Sequence, residues 1–125
     1  MTHDEARTSP DPRPRVVEED GRHVVCGGRC VACGHALARR VPRCPRCGGA
    51  LEPASFGPEG VVWAATTIRV STAGRPAPYC LAYVDLSDGP RLLVHVLGSE
   101  GGVPVGARVA LAAGPGDDPA VRVTP

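Results

Sequence analysis

From Gly60 onward, apolar and polar positions alternate in short runs that are typical of β-strands. Runs rich in Val, Thr, Ile and Tyr predict five strands, at residues 61–70, 79–86, 91–97, 105–112 and 120–123. The segments between these runs carry the residues that turns prefer, such as Gly74 with Pro76 and Ser87-Asp88-Gly89. No segment repeats its apolar positions at the helical period. Five short strands in about 65 residues predict a small closed barrel, because a sandwich usually takes about seven.

The apolar alternation in the second and third predicted strands, with the length of the loop between them, predicts how these strands pair. If Ser87-Asp88-Gly89 is a three-residue loop with Gly89 in the left-handed region, Asp85 pairs with Arg91 and Tyr83 with Leu93. A two-residue loop would mix apolar and polar positions on both faces, so the alternation favours three residues. One face then becomes uniformly apolar, as the core of a small barrel requires, and consists of Cys80, Ala82, Val84, Leu92, Val94 and Val96.

The opposite face of these two strands is also largely apolar, which is unusual for a barrel exterior. It carries Tyr79, Leu81, Tyr83, Leu93 and Leu97, with His95 among them and an Asp85–Arg91 pair at the turn. Either another segment of the chain folds over this face or a partner protein docks on it. His95 taken alone is predicted to be an outward-facing surface histidine. Cys80 is predicted to be a small core residue.

The chain before the barrel divides into two further parts. Residues 1–22 mix charges with Pro10, Pro12 and Pro14, which predicts a disordered N-terminal tail. Residues 23–55 hold five of the six cysteines and few core-forming residues, so they cannot fold on hydrophobicity alone and need a cross-link. The expected domains are therefore a tail at 1–22, a cross-linked ribbon at 23–55 and a barrel at 56–125.

The cross-link is predicted by two Cys-x-x-Cys-Gly motifs, one at Cys30 and Cys33 and the other at Cys44 and Cys47. Each spacing lets two sulfurs approach one ion from a single tight turn, and four thiolates form the tetrahedral site of structural zinc. Such a site has no open position for a substrate water, which argues against metal catalysis. Iron of the rubredoxin type uses the same ligands. Zinc is favoured because no redox-partner motif accompanies the cysteines. Cys26 is predicted to be a free thiol on a strand leading into the ribbon.

Charge and targeting signals restrict the possible partners. A formal net charge of +1 excludes a strong electrostatic affinity for nucleic acid or anionic membranes. The acidic N-terminus lacks the apolar core of a secretory signal, so a cytoplasmic location is expected, where disulfides are disfavoured. No apolar run is long enough to span a bilayer. Several arginines near the cysteines are expected to screen the charge of four thiolates on one zinc ion, namely Arg29, Arg39, Arg40, Arg43 and Arg46.

Together these features resemble the Zn-ribbon-containing OB-fold proteins that accompany acyl-CoA enzymes, over residues 23–125. The matching stretches are Cys30-Val-Ala-Cys33-Gly-His, Cys44-Pro-Arg-Cys47-Gly-Gly, Gly60-Val-Val-Trp63, Pro78-Tyr79, Val84-Asp-Leu-Ser-Asp-Gly-Pro-Arg91 and Val105-Gly106-Ala-Arg-Val. The resemblance implies a rubredoxin-like zinc ribbon on an OB-fold barrel. It further implies a non-catalytic partner of thiolases, thiolase-like aldolases or enoyl-CoA hydratases that can contribute to acyl-CoA binding. Prolines replace the N-terminal helical segment that family members often carry.

Two functional questions stay open at this stage. Arg75, in the Gly74-Arg75-Pro76 loop, is a candidate contact for a CoA phosphate, although a solvated loop arginine explains it equally well. Single-stranded nucleic-acid binding is the alternative function, because zinc ribbons and OB barrels both occur there. The balance of five arginines and five acidic residues in 60–125 disfavours it. No nucleophile elbow or phosphate loop is present, so we expect no independent catalysis.

Overall fold

The computed structural model describes residues 13–71 and 74–125, which form two β-sheets. The strands are β1 (Val16–Glu19), β2 (Arg22–Cys30), β3 (Ala36–Leu37), β4 (Leu51–Phe56), β5 (Glu59–Ile68), β6 (Tyr79–Leu86), β7 (Arg91–Leu97), β8 (Arg108–Ala112) and β9 (Ala120–Val123). Strands β5–β9 form a closed barrel in the order β5-β6-β7-β9-β8, which confirms the predicted five-stranded barrel behind a ribbon. Within these residues, no helix has the length and apolar character needed to cross a membrane.

The first sheet is built around the long strand β2. Its N-terminal half pairs with β1, and its C-terminal half lies between β3 and β4. The prediction of a disordered tail is therefore wrong for residues 16–22. Asp20 and Gly21 both have positive φ, at 53° and 80°, which is the backbone of a tight type I′ hairpin, and Val16 packs against the core. Residues 1–12 of the predicted tail lie outside the described residues.

The β6–β7 hairpin has the predicted register. Asp85 pairs with Arg91 and Tyr83 with Leu93, and the six predicted inward positions are all at most 5% exposed. The prediction for Gly89 is wrong: the left-handed residue of the turn is Asp88, with φ of 52°, at the position that is left-handed in a type II turn. Gly89 is needed for close packing instead, because a Cβ there would lie 2.8 Å from Cδ1 of Phe56.

One hydrophobic core runs through both sheets. Val25 and Phe56 from the first sheet join the buried residues of the barrel in a single cluster. Phe56 ends β4 in the first sheet, and its ring packs on the barrel hairpin, so the domain boundary predicted between residues 55 and 56 falls within a shared contact. Cys80 is 1% exposed, and burial raises the pKa of its thiol, as expected of a core residue.

Candidate metal centre and exposed barrel face

The sulfurs of the four cysteines in the two motifs converge on one point. These sulfurs all lie within 4.8 Å of one another, with 3.4 Å between Cys30 and Cys47 and 3.7 Å between Cys33 and Cys44. Sulfurs bound to one tetrahedral zinc ion are about 3.8 Å apart, since Zn–S bonds are about 2.3 Å long. The four side chains therefore fit a single tetrahedral metal ion. Cys26 is not part of this cluster and lies on β2.

Each motif forms the same kind of turn. The amide of Gly34 donates to the carbonyl of Cys30 at 3.0 Å, and the amide of Gly48 donates to the carbonyl of Cys44 at 2.8 Å. Both glycines have positive φ, 79° and 80°, a conformation that side chains other than glycine adopt at a cost. This explains why a glycine follows the second cysteine of each motif.

Backbone amides stabilise thiolates inside the cluster. The Cys33 amide donates to the Cys30 sulfur and the Arg46 amide to the Cys44 sulfur, both at 3.4 Å. The hydrogen bond from the Cys33 amide, together with those from Ala32 and the neighbouring thiols, lowers the pKa of Cys30 to about 6. The Gly49 amide acts to lower the pKa of Cys47. Hydrogen bonds between Cys47 and the other three thiols, together with burial, outweigh this effect and raise the pKa of Cys47 to about 12. Sulfurs packed this closely cannot all carry negative charge without a cation between them.

Two of the neighbouring arginines have a structural role that the sequence did not reveal. Arg29 donates to the Gly34 carbonyl at 2.9 Å and Arg43 to the Gly48 carbonyl at 3.1 Å, so each arginine braces the turn that follows it. Arg29 also donates to the Asp88 carbonyl at 2.7 Å, and its guanidinium carbon lies 5.3 Å from the centre of the Phe56 ring. Arg29 thus ties the first cysteine turn to the β6–β7 hairpin of the barrel.

The outer barrel face predicted to be apolar divides into two halves. The half beside the β6–β7 turn is exposed and is called the aromatic patch here: Val61, Trp63, Tyr83 and Leu93 are 43%, 52%, 46% and 45% exposed. Trp63 belongs to it because the β5–β6 register shifts between Val62 and Ala64. The sequence indicated the β6–β7 side of this patch, but the bulge that places Trp63 beside Tyr83 has no clear signature in the sequence.

The other half of this face is covered by a loop of the chain itself. Asp118 accepts hydrogen bonds from Arg13 at 2.8 Å and Arg75 at 2.5 Å, and its carboxylate lies 3.2 Å from Nε2 of His95. His95 is 8% exposed, so its prediction as a surface histidine is wrong. The reason is tertiary: the loop before β9 places Asp118 over the strand, and Tyr79 lies against the histidine ring at 5.9 Å between centroids.

The Asp118 cluster makes stability depend on pH in a defined direction. Hydrogen bonds from Arg13, followed by those from Arg75 and His95, lower the pKa of Asp118 below its ordinary value. A lowered folded-state pKa adds stability above the unfolded-state pKa of about 3.9, and this stability is lost as the pH falls through the folded-state value. We expect Asp118→Asn to lower the free energy of unfolding by about 1–3 kcal/mol at pH 7 and by progressively less below pH 4.

Urea unfolding of the unchanged protein and of Asp118→Asn at pH 7, 5 and 3 measures this difference. Asp85→Asn is the matched control, because Arg91 lowers the pKa of Asp85 as well but that carboxylate is 45% exposed. Asp85→Asn should lower the free energy of unfolding by less than Asp118→Asn does, since an exposed ion pair contributes little to stability. A loss from Asp118→Asn that stays constant from pH 7 to pH 3 would contradict the assignment.

Comparisons with known proteins agree with this architecture. Residues 54–113 match the family described as the ChsH2 C-terminal OB-fold domain. A solved structure titled "Ltp2-ChsH2(DUF35) aldolase" is similar at 26% identity and a TM-score of 0.62, with 82% of this chain and 84% of that chain covered. No curated protein matches the sequence.

A second solved structure has the same fold. It is a DUF35-family protein of unknown function from Sulfolobus solfataricus, with 22% identity, a TM-score of 0.61 and coverage of 79% of this chain and 75% of that chain. Both similar structures extend across more of the chain than the family match, which begins in β4. Residues 54–113 thus match the family of ChsH2 C-terminal OB-fold domains, and the chain as a whole, with its four-cysteine ribbon and its closed OB barrel, is similar to a ChsH2 (DUF35) protein.

Proposed function

We propose that this protein is a non-catalytic subunit that binds and supports an acyl-CoA enzyme of the thiolase-like aldolase type. The observation that carries the proposal is the similarity to the "Ltp2-ChsH2(DUF35) aldolase", which covers 82% of the chain and therefore includes ribbon and barrel together. The four cysteines support a non-catalytic role, because a metal held by four thiolates has no position left for substrate. We propose a cytoplasmic location for the complex, because thiols stay reduced there and can bind a metal.

We propose zinc as the metal that Cys30, Cys33, Cys44 and Cys47 hold. Four sulfur ligands at tetrahedral spacing suit zinc, and the metal would supply a structural cross-link to a ribbon that has little core of its own. Tetrahedral thiolate sites also accept iron, so metal analysis of the purified protein decides between the two.

The structure supports nucleic-acid binding less well. Stacking platforms for single strands need aromatic faces open to bases and free cations for the backbone. The guanidinium of Arg91 lies 3.8 Å from the centre of the Trp63 ring and covers one of its faces, while Tyr83 meets the same residue edge-on at 6.3 Å. Arg91 is itself paired with both oxygens of Asp85, at 2.6 and 3.0 Å.

Acyl-CoA binding through Arg75 stays a prediction. The Arg75 guanidinium contacts the Asp118 carboxylate at 2.5 Å and lies 5.6 Å from the centre of the Tyr79 ring. A CoA phosphate would have to share this guanidinium with Asp118 or replace that carboxylate. The side chain is 37% exposed, which leaves part of it open to a ligand.

Co-expression with the source organism's counterpart of the aldolase chain tests the proposed function. Size-exclusion chromatography with light scattering should show one complex of defined mass that contains both chains. The complex should cleave or condense acyl-CoA substrates, and this chain alone should leave them unchanged. Separate elution of the two proteins, or turnover of an acyl-CoA by the isolated chain, would contradict the proposal.

A further inference from the structure

The aromatic patch is a single connected surface. Val61, Asp85 and Arg91 pair across three adjacent strands in one row, and Tyr83 and Leu93 pair in the next. Trp63 sits at the bulge between these rows and contacts Arg91 and Tyr83. Tryptophan, tyrosine and arginine are the residues most enriched among those that dominate protein–protein binding energies.

The described parts of the chain already pack elsewhere. The ribbon sheet reaches the barrel through Val25 and Phe56, whose side chains join the interior core rather than the outer face. The loop before β9 and Arg13 meet at Asp118, over the other half of the β6–β7 face. The patch remains exposed next to the β6–β7 turn, where Arg29 of the ribbon donates to the Asp88 carbonyl.

The chemistry of the patch favours a protein as its occupant. The Asp85–Arg91 pair neutralises its own charge and holds the guanidinium against Trp63, so the patch offers apolar area with no unpaired charge among these residues. Aromatic side chains held in place by their neighbours lose little conformational entropy on docking. An anionic strand of nucleic acid would find no free cation in this cluster, and Arg91 already covers one face of the tryptophan ring.

We propose that Trp63, Tyr83 and Leu93 are the anchor residues through which this chain docks on its aldolase-class partner. This inference rests on the proposed function and adds the surface that the partner contacts. Arg91 is a positioning residue that holds the Trp63 ring. Arg29 holds the first cysteine turn next to the hairpin turn that borders the patch.

The single tryptophan of the sequence makes this surface directly observable. We would label the full chain with 5-fluorotryptophan and titrate it with the source organism's counterpart of the aldolase chain. The one fluorine resonance should shift or broaden as the complex forms. Leu93→Asp should weaken the affinity by at least about 30-fold, as loss of a dominant contact does.

Val123→Asp is the matched control, because Val123 and Leu93 are 44% and 45% exposed on barrel strands. Val123 lies beyond the far end of β7, so its variant should change the affinity by less than about threefold. Circular dichroism of both variants establishes that the barrel is folded. If Leu93→Asp fails to fold, Tyr83→Ser replaces it, since Tyr83 is 46% exposed and its ring contact is with Trp63, which is itself 52% exposed.

The outcomes separate this inference from the function on which it rests. A complex of the unchanged chain that keeps its affinity in Leu93→Asp or Tyr83→Ser overturns the anchor assignment and leaves the proposed function intact. No complex with the unchanged chain overturns both. Self-association that these variants abolish, with no effect on aldolase binding, assigns the patch to a second copy of the chain and also overturns the inference.

Discussion

Metal removal should unfold residues 30–50 and leave the strands of the barrel folded. The segment between Cys30 and Ala50 contains only the two residues of β3 as regular structure, and its sulfurs converge on one point. Metal binding contributes about 10–16 kcal/mol to the folding of small zinc domains, far more than the few apolar side chains of this segment can replace. The barrel keeps its own core, which is closed by hydrogen bonds between β5 and β8.

Amide hydrogen exchange with and without a strong chelator measures this difference along the chain. Protection should disappear at the Gly34 and Gly48 amides, which close the two turns, and persist in β6 and β7. Cys44→Ser should reproduce the chelated state and bind no metal. Cys26→Ser is the matched control, since Cys26 lies outside the cluster, and it should keep one zinc ion per chain. Full metal content in Cys44→Ser would contradict the site.

The sequence predicted the elements whose information is local. The β6–β7 register follows from alternation and loop length over 17 residues, and it agrees with the structure at each predicted pair. The four cysteines could be assigned from spacing alone because each motif is a short turn with its own hydrogen bonds. In both cases the relevant contacts are made by residues close in the chain, so the local sequence pattern is enough to predict them.

Contacts between distant segments could not be predicted in this way. His95 is buried because Asp118, 23 residues further along, lies on it, and no alternation in β7 indicates that loop. Strand β1 was missed because its apolar residues, Val16 and Val17, follow a proline-rich stretch whose composition suggested disorder. Gly89 was assigned to a left-handed turn position, whereas its role is set by the ring of Phe56, which comes from the other sheet.

Phe56 joins the two sheets, and its truncation should lower the stability of the protein strongly, as metal removal should. The ring is 4% exposed and lies between the Arg29 guanidinium and the β6–β7 turn. Truncation of a buried phenylalanine to alanine costs about 3–5 kcal/mol through lost burial and the cavity that remains. We expect Phe56→Ala to lower the free energy of unfolding of the barrel by this amount, although the residue belongs to the ribbon sheet. Phe56→Leu should recover part of the loss.

A double-mutant cycle with Gly89 tests whether the contact itself is the cause. Gly89→Ala puts a Cβ 2.8 Å from Cδ1 of Phe56, which forces the ring or the turn to move, while the backbone of Gly89 has no positive φ that would strain alanine. Gly89→Ala should therefore destabilise the unchanged chain more than the Phe56→Ala chain. Equal costs in the two backgrounds, measured by urea unfolding, would show that the turn and the ring act independently. Coupling would establish that the ribbon sheet positions the hairpin beside which Trp63 and Tyr83 are exposed.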